Sequence, residues 1–123
     1  MPLYRRRHHR VPVRLFIDQF QGQEQWVGLT FNLGSGGLYL CQRPQPIPGQ
    51  VGLELELPGL SESIWTKAEV CSVLSHGGFM GVSMAFTAMA NGHRSMLQDW
   101  VTMARKQLRP YNERRSTLRR LAA

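Results

Sequence analysis

Cysteine is scarce in this chain: its 123 residues contain two, Cys41 and Cys71. Both sit inside apolar runs, with no Cys or His close by in sequence. That excludes a disulfide framework and the paired ligand spacing of a zinc site. The two are read as reduced, partly buried thiols. Acids are also few, 8 against 15 Lys and Arg. No apolar run approaches the roughly 20 residues needed to span a bilayer, so no membrane insertion is expected. Met1-Pro2-Leu3-Tyr4 leads directly into Arg5, Arg6 and Arg7 with no apolar stretch behind the charges. A secretory signal needs such a stretch, so the expected location is the cytoplasm. Internal repeats and low-complexity tracts are missing as well. With 42% hydrophobic and 19% charged residues, the chain can build one domain with a core.

Catalytic constellations are equally absent. Ser35, in Leu33-Gly34-Ser35-Gly36-Gly37, does not match a nucleophile elbow and does not open a helix. The same glycines lack the Lys-Ser/Thr of a phosphate-binding loop, and a strand rather than a helix follows them. Adjacent His8 and His9 would point to opposite sides of a strand, with no carboxylate or thiol at ligand spacing, while His76 and His93 stand alone. Glu54 and Glu56 read as the solvent face of an alternating strand. No enzyme activity, metal or cofactor is expected.

What is present is positive charge at both ends. Residues 1–10 carry Arg5, Arg6, Arg7 and Arg10 without an acid. Residues 105–123 carry Arg105, Lys106, Arg109, Arg114, Arg115, Arg119 and Arg120 against Glu113. The body between them is net acidic. A general nucleic-acid binder spreads charge over a face of its folded body, so nucleic acid is disfavoured as a partner and local anion sites are preferred.

Along the chain, Val11–Ile17 reads as a strand with Pro12 at its start or edge. Gln19–Gln25 is a turn at Gly22, and Trp26–Phe31 a second strand. Asn32-Leu33-Gly34-Ser35-Gly36-Gly37 then interrupts it, its three glycines asking for backbone freedom. Leu38–Cys41 resumes as a strand, and Pro44, Pro46 and Pro48 mark a loop. Val51, Leu53, Leu55 and Leu57 alternate onto one strand face. Ile64–Leu74 is a strand with Trp65, Ala68 and Val70 as its apolar positions. His76-Gly77-Gly78 suits a hairpin turn. Phe79–Phe86 alternates Met80, Val82, Met84 and Phe86 against Gly81, Ser83 and Ala85. Asn91 suits a helix N-cap, and Leu97, Val101, Ala104 and Leu108 recur at three and four, predicting a helix over 92–108. Pro110 is expected to end or kink it, with a second short helix over 111–122. About six short antiparallel strands followed by a helix predict a mainly β barrel or sandwich with the helix covering one end.

Two segments, which by themselves read equally as a solvated basic N-terminus and as a β-bulge or turn, suit a ligand that has both phosphates and bases. Arg5-Arg6-Arg7-His8-His9-Arg10 gathers guanidiniums that each grip phosphate bidentately and stack on a purine face. Asn32 presents a donor and an acceptor to a base edge, and Gly34, Gly36 and Gly37 let the backbone approach a flat ligand.

Together these segments resemble the PilZ domain family. Arg6-Arg7-His8-His9-Arg10 matches its R-x-x-x-R motif. Asn32-Leu33-Gly34-Ser35-Gly36-Gly37 matches D/N-x-S-x-x-G at Asn32 and Gly37. The resemblance spans about residues 4–107 and leaves 108–123 as a basic C-terminal helical extension or tail. It implies a six-stranded antiparallel β-barrel with a C-terminal helix, a receptor for the bacterial second messenger cyclic-di-GMP. Arg6 and Arg10 would hold phosphate and stack on guanine, Asn32 would bond a guanine edge, and Gly37 would leave room for the base. Arg5, directly before the motif, leans toward two ligand molecules per chain, and Arg7 belongs to the same cluster. The motif serine is replaced by Gly34, and Ser35 points elsewhere unless a bulge re-aims it. Ligand binding is expected to order the N-terminal segment and present a surface to a downstream protein that regulates motility, pili, exopolysaccharide or virulence. Two alternatives remain: a ligand-free PilZ-like adaptor, and a small basic barrel binding RNA or single-stranded DNA with a steep salt dependence.

Overall fold

The structure, a computed structural model, describes residues 10–122, and side chains as far as residue 107. Seven strands and one helix follow in order: β1 (Arg10–Val11), β2 (Phe16–Gln21), β3 (Glu24–Gly34), β4 (Gly37–Gln42), β5 (Gln50–Leu55), β6 (Ile64–His76), β7 (Phe79–Met89) and α1 (Asn91–Ala122). All pairings are antiparallel, in the order β1-β3-β2-β5-β6-β7-β4. A further β3–β4 pairing closes the sheet into a six-stranded barrel with β1 as an extra strand.

Alternation fills the barrel. Val51, Leu53, Leu55 and Leu57 are all buried, as are Val82 and Met84, with Met80 and Phe86 packed against them. Leu97 and Val101 of α1 complete this core, and Met96, Trp100 and Ala104 flank them. The helix is held at its seam by Trp100 Nε1, which donates to the Pro58 carbonyl at 2.9 Å. It is also held by His93, whose Nδ1 accepts the Trp65 backbone N–H at 3.1 Å and whose Nε2 lies 3.8 Å from Glu62 Oε1. His93 is therefore not the isolated residue the sequence suggests. Among the described residues, no helix is long and apolar enough to cross a membrane.

Several elements differ from expectation. Val11–Ile17 is not one strand but β1 and the start of β2, separated by residues 12–15. Pro12 has no N–H for a ladder, and the buried Thr30 hydroxyl holds the break instead. It donates to the Val13 carbonyl at 2.7 Å and accepts the Leu15 N–H at 2.9 Å. Strand β3 runs unbroken through Asn32 to Gly34, because β4 and β1 pair with its last residues. On β6, Trp65 faces outward and stacks on Phe20 at 5.5 Å, while Ile64, Thr66 and Ala68 face the core. Cys71 is exposed, since the second half of β6 lies beyond the core.

The helix begins one residue earlier than an Asn91 cap allows, with Ala90 accepting the Arg94 N–H at 2.9 Å. It also continues through Pro110 to Ala122 as one element. Proline removes the single N–H that would reach back to Lys106, and the flanking bonds carry the helix past it. The side chains of Leu108, Tyr111, Leu118 and Leu121 lie outside the described residues.

One polar pair sits inside the barrel. Gln19 Nε2 donates to Gln42 Oε1 at 2.7 Å, both residues being buried. Gly28 makes the approach possible: a Cβ there would stand 2.8 Å from Leu40 Cδ1 and 3.0 Å from Gln19 Nε2.

Thr30→Val keeps the shape but leaves the Val13 carbonyl and the Leu15 N–H without their partner. Each unsatisfied buried group costs about 1–3 kcal/mol. Urea unfolding is expected to show a loss of that order, with the thermal midpoint falling several degrees.

Candidate functional site

Asn32 reaches the site through a β-bulge. The β3–β4 register shifts between Thr30 and Asn32, with Thr30 opposite Leu40 and Asn32 opposite Tyr39. On a regular strand Asn32 would share the inward face of Thr30. The extra residue at Phe31 turns both Phe31 and Asn32 outward and lets Leu33 point in, where it is fully buried. The bulge thus precedes the glycines rather than lying among them.

Strand β1 then brings Arg10 beside Asn32. Arg10 is the cross-strand partner of Gly34, and Val11 that of the buried Leu33, so Arg10 faces outward. Its Nη1 donates to Asn32 Oδ1 at 3.4 Å across 22 residues of sequence. Gly37 lies under the same guanidinium. A Cβ at Gly37 would stand 3.1 Å from Arg10 Nη2 and would collide with the Met84 carbonyl. The absence of a side chain at 37 therefore reflects space, not backbone freedom. Among the described residues, left-handed glycines are Gly22, Gly59, Gly77 and Gly78, all away from this cluster. Gly34 is buried at the end of β3, and Ser35 stands half-buried with Gly36 in the bend between β3 and β4.

Four of the expected site residues, Arg10, Asn32, Gly34 and Gly37, thus meet on one outer wall, with Ser35 in the adjoining bend. Arg5, Arg6 and Arg7 lie outside the described residues. Sequence reasoning missed the neighbours of Asn32. Arg14 sits over the Phe31 ring at 4.7 Å, and Phe31 packs on Tyr39 at 5.7 Å. A four-residue spacing from Arg10 and an aromatic directly before Asn32 were the available signals, but only the bulge places Phe31 on the same side as Asn32. The wall offers a guanidinium for an anion, an amide for a base edge and aromatic faces for stacking.

A helix-covered, six-stranded antiparallel barrel with an arginine and an asparagine side by side on its outer wall, over a closely packed glycine, defines a class of small β-barrel domain. The chain belongs to the PilZ domain family, whose profile matches residues 4–103. No curated protein matches it. Among solved structures it is similar to the Bacillus subtilis inhibitor of motility (MotI/DgrA), with a TM-score of 0.73 and 20% identity over 87% of this chain and 53% of that one. The chain thus spans about half the length of that protein. It is also similar to the PilZ domain of Escherichia coli YcgR with c-di-GMP (TM-score 0.70, 15% identity, 89% of this chain and 98% of that one). The K. pneumonia MrkH–c-di-GMP complex gives a TM-score of 0.64 at 14% identity, covering 92% and 56%. At these identities the likeness is one of fold.

Gly37→Ala is expected to destabilise the barrel by about 1–3 kcal/mol, because the added methyl has only the Met84 main chain and the Arg10 head to displace. Chemical denaturation checks this, and a cost below 0.5 kcal/mol would show that the β4–β7 pair yields freely at that point.

Proposed function

We propose that this protein is a cyclic-di-GMP receptor that acts by binding rather than catalysis. The observation that carries this reading is the convergence of Arg10, Asn32 and Gly37 on one wall of a PilZ-family barrel. The Arg10 guanidinium makes charge-assisted bonds to a phosphate and stacks on a purine, exchanging its long bond to Asn32 for a stronger one. Asn32 offers its amide to the Watson–Crick or Hoogsteen edge of guanine. Gly37 puts no side chain under the Arg10 head, which is then free to swing onto the ligand. Phe31, Tyr39 and Arg14 form a flanking stack that the ligand extends.

Arg5, Arg6 and Arg7 supply further cations to the same ligand. Two intercalated molecules per chain suit that number of guanidiniums. The ligand draws residues 4–9, which lead into β1, over the wall and so changes the surface that a downstream protein meets. The site acts in the cytoplasm, where such a messenger is made and read. That PilZ complexes with c-di-GMP share this fold supports the ligand class.

Gly34 replaces the motif serine and, as the strand partner of Arg10, stands where a hydroxyl would adjoin the guanidinium. A missing neutral bond corresponds to about 0.5–1.5 kcal/mol, roughly twofold to tenfold in affinity. This gap is the one feature favouring a ligand-free adaptor.

Isothermal titration of cyclic-di-GMP into the full chain tests the reading. Saturable binding is expected at micromolar concentration or below, with Arg10→Ala and Arg6→Ala each weakening it at least tenfold. Gly34→Ser is expected to tighten it twofold to tenfold, and amide exchange over residues 4–11 to slow on saturation. No heat from either the wild type or Gly34→Ser overturns the receptor assignment in favour of the adaptor.

A further inference from the structure

The second half of β6 is a bare edge. Strand β5 pairs with β6 only from Ile64 to Glu69, and the last contact on that side is the Val70 N–H to the Gly49 carbonyl at 2.9 Å. Upstream of Gly49 the chain enters the loop of Pro44, Pro46 and Pro48, so no strand continues beside β6. Residues Ser72–His76 remain extended, held by β7 alone, and every residue from Cys71 to Phe79 is exposed. Val73 is 45% exposed, Leu74 54% and Phe79 60%.

The direction of the free backbone groups follows from the pairing. Phe86 donates to Gly36, on the β4 side of β7. Alternation then turns the odd-numbered residues of β7 toward β6, where Gly81 and Phe79 lie opposite Leu74 and His76. Leu74 and His76 are thus satisfied by β7. Val73 and Ser75 direct N–H and C=O away from the sheet.

Proteins normally blunt such an edge with a charge or a proline. This one has neither: no Asp, Glu, Lys or Arg occurs between Glu69 and Arg94. Its only irregularity is the register shift between Val70 and Ser72, which precedes the free stretch.

We infer that this edge pairs with the same edge of a second copy of the chain. Charge selects that occupant. The segment carries no acid, lysine or arginine and exposes Val73 and Leu74, so it complements an uncharged strand, and its twin is one. The copies also meet by the end opposite Arg10. Gly37 pairs with Ala85 at the Arg10 end of β4, and Gln42 with Met80 at the hairpin end. Two copies joined through the hairpins therefore keep the two Arg10 residues at opposite ends of the pair.

Symmetry restricts the register. A two-fold axis normal to the sheet keeps every side chain on its own face, so paired residue numbers must sum to an even value. Centring the axis on Leu74 pairs Val73 with Ser75 of the second copy, twice, and these are the residues with outward N–H and C=O. Leu74 then meets its twin in a non-hydrogen-bonded pair. The contact involves some six residues a side, against roughly 20–30 in a standard interface, so the dimer is weak and concentration-dependent.

Sedimentation of the full chain from roughly 10 µM to 1 mM tests this. The weight-average mass is expected to climb toward two copies. It should stay at one copy in Ser75→Pro, which removes an outward N–H, and in Leu74→Lys, which sets like charges on the axis. Thermal unfolding checks that both variants fold. Independently, Leu74→Cys in a Cys71→Ser background should form a disulfide-linked dimer under mild oxidation, since Cα atoms about 4.5 Å apart suit the bond. Ser72→Cys in that background should link at least tenfold more slowly. A monomer at all concentrations, as an edge kept for another protein's strand would give, overturns the inference. So does a dimer that survives both edge variants, or equal linking at 72 and 74.

Discussion

Strand β3 bonds to three other strands, and the barrel depends on that. Its first half pairs with β2, its second half with β4, and its last two residues with β1. Closure through β3 sends half of the side chains inward as core and half outward as wall. A regular strand would have left Asn32 inside among leucines, where its amide would need buried partners. The bulge at Phe31 resolves the conflict. It delivers Asn32 to the wall and returns Leu33 to the core within one residue, and β1 adds Arg10 at the edge so created. Core and site are therefore set by the same local irregularity.

Much of the architecture was legible because period-2 and period-3.6 patterns are local. Val51 to Leu57 and Met80 to Phe86 announced their inward faces, and Leu97, Val101 and Ala104 theirs. The glycine pair at 77–78 announced its turn. The misreadings share a cause, since each depends on a contact far away in sequence. The break between β1 and β2 is held by Thr30, 15 and 17 residues distant. The continuity of β3 through its glycines rests on β1 and β4. Trp65 reads as one apolar position of its strand among others, and only β5 and β2 place Phe20 beside it on the outside. Pro110 is the exception: there the helix runs on because the neighbouring helical bonds, themselves local, outweigh the one N–H that proline lacks.

For the site, Arg10, Asn32 and Gly37 were nameable from motif spacing, but their geometry was not. Gly37 looked like a call for backbone freedom and turned out to be a demand for space between Met84 and Arg10. Arg14 seemed an ordinary member of a strand, and only its position over Phe31 links it to the wall. Within the described residues, Arg10 sits at one end of β4 and the neutral hairpin of β6 and β7 at the other.

The amide bond between Gln19 and Gln42 has a consequence for how the chain finds this arrangement. Six similar strands rich in leucine and valine can slide past one another by two residues and still bury apolar faces. Such a slip in β2 or β4 would strand a carboxamide among hydrocarbon with nothing to bond, and would press a side chain onto the space reserved at Gly28. The pair therefore favours one alignment, since it saves the Gln19 Nε2 to Gln42 Oε1 bond even though Gln19 Oε1 and Gln42 Nε2 remain unpartnered. A polar contact inside the core thus serves fidelity, while the leucines around it serve strength.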